Sequence, residues 1–208
     1  MKMRMLLFAI AIAGALTLSI SRTDAQDKAK AEAQPAVDTQ EMMKKWMEVA
    51  TPGDGHKQLD QLVGKWDSVM RMWMEGPGKP ATESKGSCEI KWIMEGRYLL
   101  QEATGQMAGM PFKSMNVIGY DNYKKKYVMS YIDNMGTAIY TVEGKLDPSN
   151  KVMTSFGKMD EFMTGERDKL VKYVLRIISK DKHVFEAYDE VGTPNEFKAF
   201  EIAYTRKP

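Results

Sequence analysis

Residues 64–75 read GKWDSVMRMWME, and within this stretch the period of the apolar residues changes. Before Gly64 apolar side chains recur at helical spacing; after it they recur at every second position, as in a strand with one face on a core. Trp66, Met70, Met72 and Met74 fall on one side and Asp67, Val69, Arg71, Trp73 and Glu75 on the other. The charged alternates mark solvent, so the Met side is predicted to face inward. The period of 2 persists to the C-terminus, broken at turn sequences such as Gly76-Pro77-Gly78, Glu95-Gly96, Ala108-Gly109, Asn134-Met135-Gly136, Asp147-Pro148 and Gly192-Thr193-Pro194. These delimit nine or ten strands near 65–75, 84–95, 97–106, 112–120, 126–133, 137–146, 151–157, 169–179, 183–189 and 197–206. Breaks this short make sequential strands antiparallel neighbours, and a meander of about ten strands removes its edges by closing on itself. The predicted fold is all-β: an antiparallel meander closed into a barrel, domain 64–208, preceded by one or two short N-terminal helices.

Those helices belong to a segment at 38–63 that is expected to pack on the barrel. Asp38 has Glu41 three residues on, Met43, Trp46, Met47 and Ala50 share a face, and Pro52-Gly53 ends the first helix. A second short turn covers His56 to Val63, with Leu59 and Leu62 inward. The chain before it divides in two. Residues 1–25 have the parts of a secretory signal peptide: basic Lys2 and Arg4, an apolar run from Met5 to Leu18, and a small-residue exit at Thr23-Asp24-Ala25. Residues 26–37, QDKAKAEAQPAV, lack apolar period and read as a flexible leader. The protein is therefore expected to be exported, to the periplasm or beyond, with no membrane span in the mature chain.

Loss of residues 1–25 removes Lys2, Arg4, Arg22 and Asp24, leaving 27 basic and 27 acidic side chains. A neutral domain without a basic cluster beyond Lys124-Lys125-Lys126 offers little to a phosphate backbone, which excludes nucleic acid as a partner. Cys88 is the one cysteine, so no internal disulfide is available, and its alternation with Ile90, Trp92 and Met94 predicts a buried, inert thiol.

Alternation nominates the rest of the inner wall: Trp92 and Met94; Tyr98 and Leu100; Met115 and Val117; Tyr127, Met129 and Tyr131; Tyr140 and Val142; Val171, Tyr173, Leu175 and Ile177; Phe200, Ile202 and Tyr204. Met, Tyr and Trp outnumber the Val, Ile and Leu of a close-packed interior. Such a lining suits an adaptable cavity for a small apolar molecule with one polar group.

Two sets of residues carry a resemblance. Gly64-Lys65-Trp66 at the start of the first strand, with Arg206 near the end of the last, looks like the G-x-W and late Arg of lipocalins and other calycin-like barrels. There the Trp closes the base and the Arg stacks across it. More specifically, GDGHKQLDQLVGKWD, MEGRYLLQE, GMPFKSMNVIGYDNYKKKYVMSYIDNMGT, HVFEAYD and EFKAFEIAYTRK resemble, in that order, the bacterial domain of unknown function 1579 over roughly residues 52–207. The resemblance implies a calycin-like barrel and carries no activity.

The candidate binding residues are accordingly Met70, Met72, Met74, Trp92, Met94, Tyr127, Met129, Tyr131 and Tyr140. To these YIDNMGTAIY adds Asp133 and Asn134 at a barrel mouth, with Arg97 and Glu102 as the nearest charged partners. A small enzyme using Asp133 or Glu102 for acid–base work is the alternative, although nucleophile, zinc and phosphate-loop motifs are lacking. A Cu(I) site is the third reading, since thioethers are soft ligands. Against it, alternate residues of a strand stand about 6.6 Å apart, too far for three sulfurs to share one ion. His56 and His183 are too few for an ordinary zinc site. No metal and no cofactor is called for.

Overall fold

A computed structural model describes residues 38–208. The signal peptide and leader expected at 1–25 and 26–37 lie outside the described residues. Two helices come first, α1 (Thr39–Ala50) and α2 (Asp54–Lys57), followed by a 3-10 segment at Gln58–Leu62. Asp38 caps α1, its Oδ1 accepting from Gln40 N at 2.9 Å. Ten strands follow: β1 Gly64–Met72, β2 Thr82–Ile93, β3 Tyr98–Met107, β4 Met110–Asp121, β5 Lys126–Asp133, β6 Tyr140–Leu146, β7 Val152–Glu161, β8 Glu166–Ser179, β9 Lys182–Asp189 and β10 Phe197–Arg206.

Each strand pairs antiparallel with the next, and β1 pairs with β10 from Trp66 opposite Arg206 to Met72 opposite Phe200, which closes the barrel. The meander gives the barrel two unlike ends. At one end lie the start of β1, the end of β10 and the segment 51–63; at the other lie the connections β1–β2, β3–β4, β5–β6, β7–β8 and β9–β10.

The core sits at the first end. Leu59 and Leu62 of the 3-10 segment plug it, packed against Trp66, Ile90, Leu99, Ile118, Met153 and Tyr204. The first helix does not share in this: α1 buries no side chain, and its Met42, Met43, Trp46, Met47 and Val49 stand exposed. Only the second half of the 38–63 segment packs into the barrel.

Six orientations predicted from alternation are overturned. β1 ends at Met72, held there by the turn to Gly76, so Met74 lies beyond the strand and is exposed. Met94 stands in a tight 3-10 turn, Met94–Gly96, and points to solvent. That turn places Met94, Glu95 and Gly96 all at positive φ and resets the parity of β3 and β4. Leu99, Gln101 and Ala103 consequently face inward instead of Tyr98 and Leu100, and Ser114, Asn116 and Ile118 instead of Met115 and Val117. The outer wall here is as apolar as the inner one, with Tyr98, Met115 and Ile132 exposed on it. Hydrophobicity alone gives no sign of which face is inside.

Candidate functional site

The base of the barrel is built around Trp66, 1 % exposed. Its indole N–H donates to Leu62 O at 2.9 Å. The Arg206 guanidinium lies 4.1 Å from the ring centre, as the G-x-W and late Arg imply. Arg206 also donates to three backbone carbonyls, Val63 at 2.6 Å, Gln61 at 3.1 Å and Lys180 at 2.9 Å, tying the plug to both ends of the meander. Gly64 stands at φ +137, and a Cβ there would run into the Arg206 guanidinium. The first and last members of the motif are thus one contact.

His183 fills the space behind Trp66, edge-on to it at 4.3 Å and stacked on Tyr204 at 4.4 Å. Burial, helped by Arg206, lowers its pKa to about 3, and its Nδ1 is buried without a partner. His56 occupies the plug. It accepts from Gly53 N at 3.1 Å and packs on Tyr120, while the Tyr127 hydroxyl donates to Gly55 O at 3.1 Å. Of the sequence-predicted site residues, Tyr127 and Met129 belong to this closed core, and Trp92 is tied to the plug through Asp60 at 2.8 Å. Cys88 is buried as expected, and burial pushes its thiol up to about 12.

Toward the rim most inward side chains are partly buried, although Val171 and Ala187 are fully so. This half, the mouth, is lined by Met70 and Met72 on β1, Phe200 on β10, Phe185 on β9, and Tyr173, Tyr140 and Tyr131 on β8, β6 and β5, with Tyr173 and Phe185 also packed on the core. Phe185 stacks on Tyr173 at 5.3 Å, and Tyr131 lies 6.3 Å from Tyr140. Burial, with Asp133 close by, holds the Tyr131 phenol far above its ordinary range; burial also raises Tyr173. These hydroxyls stay protonated and serve as donors. Beside the tyrosines, Asn116, opposite Tyr131, presents a buried Oδ1 with no partner, and Ser155, opposite Tyr173, a buried Oγ likewise. Neither was nominated from the sequence, Asn116 because the parity of β4 was read the other way.

The polar candidates do not converge. Asp133 Oδ1 accepts from Met135 N at 2.8 Å and Gly136 N at 3.2 Å, and Asn134 bridges Lys113 N and Pro111 O; both hold the rim turn. Arg97 sits at the opposite end on the Met94 carbonyl and Glu95, and Glu102 lies on the outer wall paired with Lys91 at 2.8 Å. Met70 and Met72 face the mouth and Met74 does not, so the three sulfurs share no face. Among the described residues no three His, Cys, Asp or Glu side chains gather as a metal site would require.

Two concavities stand out, and both lie outside the lumen. One, of about 630 Å³, runs along the outer wall between the end of α1 and Tyr98, Val117 and Val128. The other, of about 340 Å³, is a notch in the rim where β2 and β3 separate above Gly86 and Gly105. The enclosed pocket expected within the lumen is not among them.

The fold has a likeness among solved structures. The structure described as Rv2717c from M. tuberculosis matches with a TM-score of 0.51 at 11 % identity, covering 76 % of this chain and 100 % of that one. At that identity the likeness shows the fold alone. A redesigned beta barrel matches with a TM-score of 0.38 at 12 % identity, covering 73 % of this chain and 96 % of that one. No curated protein matches the chain. The model of the family described as "Protein of unknown function (DUF1579)" matches residues 51–206, which is most of the molecule, and the chain belongs to that family.

Proposed function

We propose that this protein, exported through its N-terminal segment, binds a small, largely apolar molecule in the rim half of its barrel. One observation carries the reading: the rim half of the interior is lined largely by partly buried Met, Phe and Tyr side chains, with an unpartnered Asn116 Oδ1 among them. The mouth also has a polarity. Met70, Met72, Phe185 and Phe200 form an apolar wall, and Tyr131, Tyr140 and the free Asn116 Oδ1 form a wall that can meet one polar group. A site that is mainly apolar with a few placed polar groups is the usual form of a small-molecule site. With the Tyr131 and Tyr173 phenols pushed upward by burial and Asp133 engaged in a turn, the mouth is equipped for holding a ligand.

The test is titration with an environment-sensitive apolar fluorophore. One molecule should bind per chain, and Met72→Trp, which fills the mouth, should weaken binding by about tenfold or more. Saturable binding that survives both Met72→Trp and Phe200→Trp would place the site elsewhere, with the outer groove beside α1 the first place to look.

A further inference from the structure

Six apolar side chains stand in solvent at the mouth end, and they come from four separate hairpins. Met74 follows β1, Met110 opens β4, Met135 and Ile139 lie between β5 and β6, and Phe162 and Met163 form the β7–β8 turn. Phe162 is 87 % exposed and Met163 77 %. Exposed apolar groups gathered on one end of a molecule mark an interaction surface. Here they sit on separate loop tips around the rim, and the notch beside Met110 is lined mostly by polar side chains, so it offers an apolar partner little to fill. Flexible thioethers and a phenylalanine on separate tips fit instead a soft apolar phase into which each can sink independently.

The neighbouring charges decide what kind of surface. Arg167 is paired with Asp160 at 3.0 Å, Lys158 with Asp168 at 3.7 Å, and Lys169 with Asp189 at 2.8 Å. With these cations already answered from within the chain, Lys79, Lys85 and Lys113 are the mouth-end lysines without an ion pair among the described residues, and they stand on separate elements instead of forming a basic collar. We infer that the mouth end docks on a lipid bilayer by insertion of the loop tips, and that docking depends on apolar contact and not on head-group charge. The inference rests on the loops and holds whatever the lumen contains. It does place the mouth against the lipid, where an apolar molecule could pass without crossing water.

Flotation of the purified protein with phosphatidylcholine vesicles tests it. The wild type should float with the vesicles, and Ile139→Ser/Phe162→Ser/Met163→Ser should reduce partitioning by roughly tenfold or more, since three exposed apolar side chains leave the interface. All three positions are exposed, so the fold should survive, as a melting curve would verify. Met43→Ser/Trp46→Ser on α1, the rival apolar surface, should leave flotation unchanged. Adding phosphatidylglycerol or raising the salt should change binding by less than about twofold, because screening acts on charge and not on apolar insertion. A wild type that does not float, a triple variant that floats as well as the wild type, loss only in the α1 variant, or binding that needs anionic lipid and vanishes with salt would each overturn the inference.

Discussion

Trp66 shows how few side chains fix the closed end. It fills the base, anchors its indole on Leu62 O and carries Arg206 on its face. Trp66→Ala should therefore cost about 3–5 kcal/mol, as truncation of a large core residue does, measurable by denaturant unfolding. Gly64→Ala should destabilise too, by roughly 1–3 kcal/mol, because it forces a left-handed backbone and displaces Arg206. A stability within 0.5 kcal/mol of wild type would contradict the contact. His183 supplies a pH dependence. Above pH ~6.5 its ring is neutral folded and unfolded. As pH falls below that value the unfolded chain takes up a proton that the buried ring refuses until about pH 3. Stability should thus decline with acidification, by up to ~1.4 kcal/mol per pH unit from this residue, and His56, also lowered by burial, acts in the same direction. His183→Phe should flatten the fall between pH 6.5 and 5, and an unchanged slope in that variant would place the proton uptake elsewhere.

At the scale of the element, the two halves of the 38–63 segment should behave differently. Leu59→Ala or Leu62→Ala should cost about 2–5 kcal/mol, since each side chain is locked in the core. Deletion of α1 up to Ala50 should shift the melting temperature by no more than about 3 °C, because α1 buries nothing. A large loss on deletion would show that its apolar face is covered in solution. Helix caps, turn residues and strand periods are local signals, and so the order and number of elements were legible in the sequence. The direction of a side chain was legible only where the two faces differ in polarity. On β1 the charged alternates Asp67 and Arg71 settle it; on β3 and β4 both faces mix apolar and polar side chains, Gln101 and Asn116 inside and Glu102 and Lys113 outside, and the three positive-φ residues of the Met94–Gly96 turn settle it instead. The run of Met70, Met72 and Met74 failed at its last member for a related reason: alternation continues in the letters past the point where the strand stops.

For the whole molecule, the barrel was readable because a ten-stranded meander has few other ways to satisfy its edges. The site was readable only in part. Met70, Met72, Tyr131 and Tyr140 face the interior toward the rim, yet Trp92, Tyr127 and Met129 lie in the packed base, because position along the barrel axis depends on stagger between strands that no single strand encodes. Asn116, whose free carbonyl oxygen is the clearest polar group beside the mouth tyrosines, was hidden by the parity of β4. Met70→Leu/Met72→Leu/Met74→Leu should leave folding and copper content unchanged, Leu matching Met in volume; loss of a stoichiometric copper signal would restore the metal reading. The central claim, that the mouth holds a small molecule, is tested most directly by native mass spectrometry of the protein purified from its own compartment. The account predicts a noncovalent adduct of one small organic molecule per chain, released on unfolding and lost in Met72→Trp. A bare polypeptide mass for protein handled without detergent or organic solvent, or an adduct retained equally by the filled-mouth variant, would contradict it.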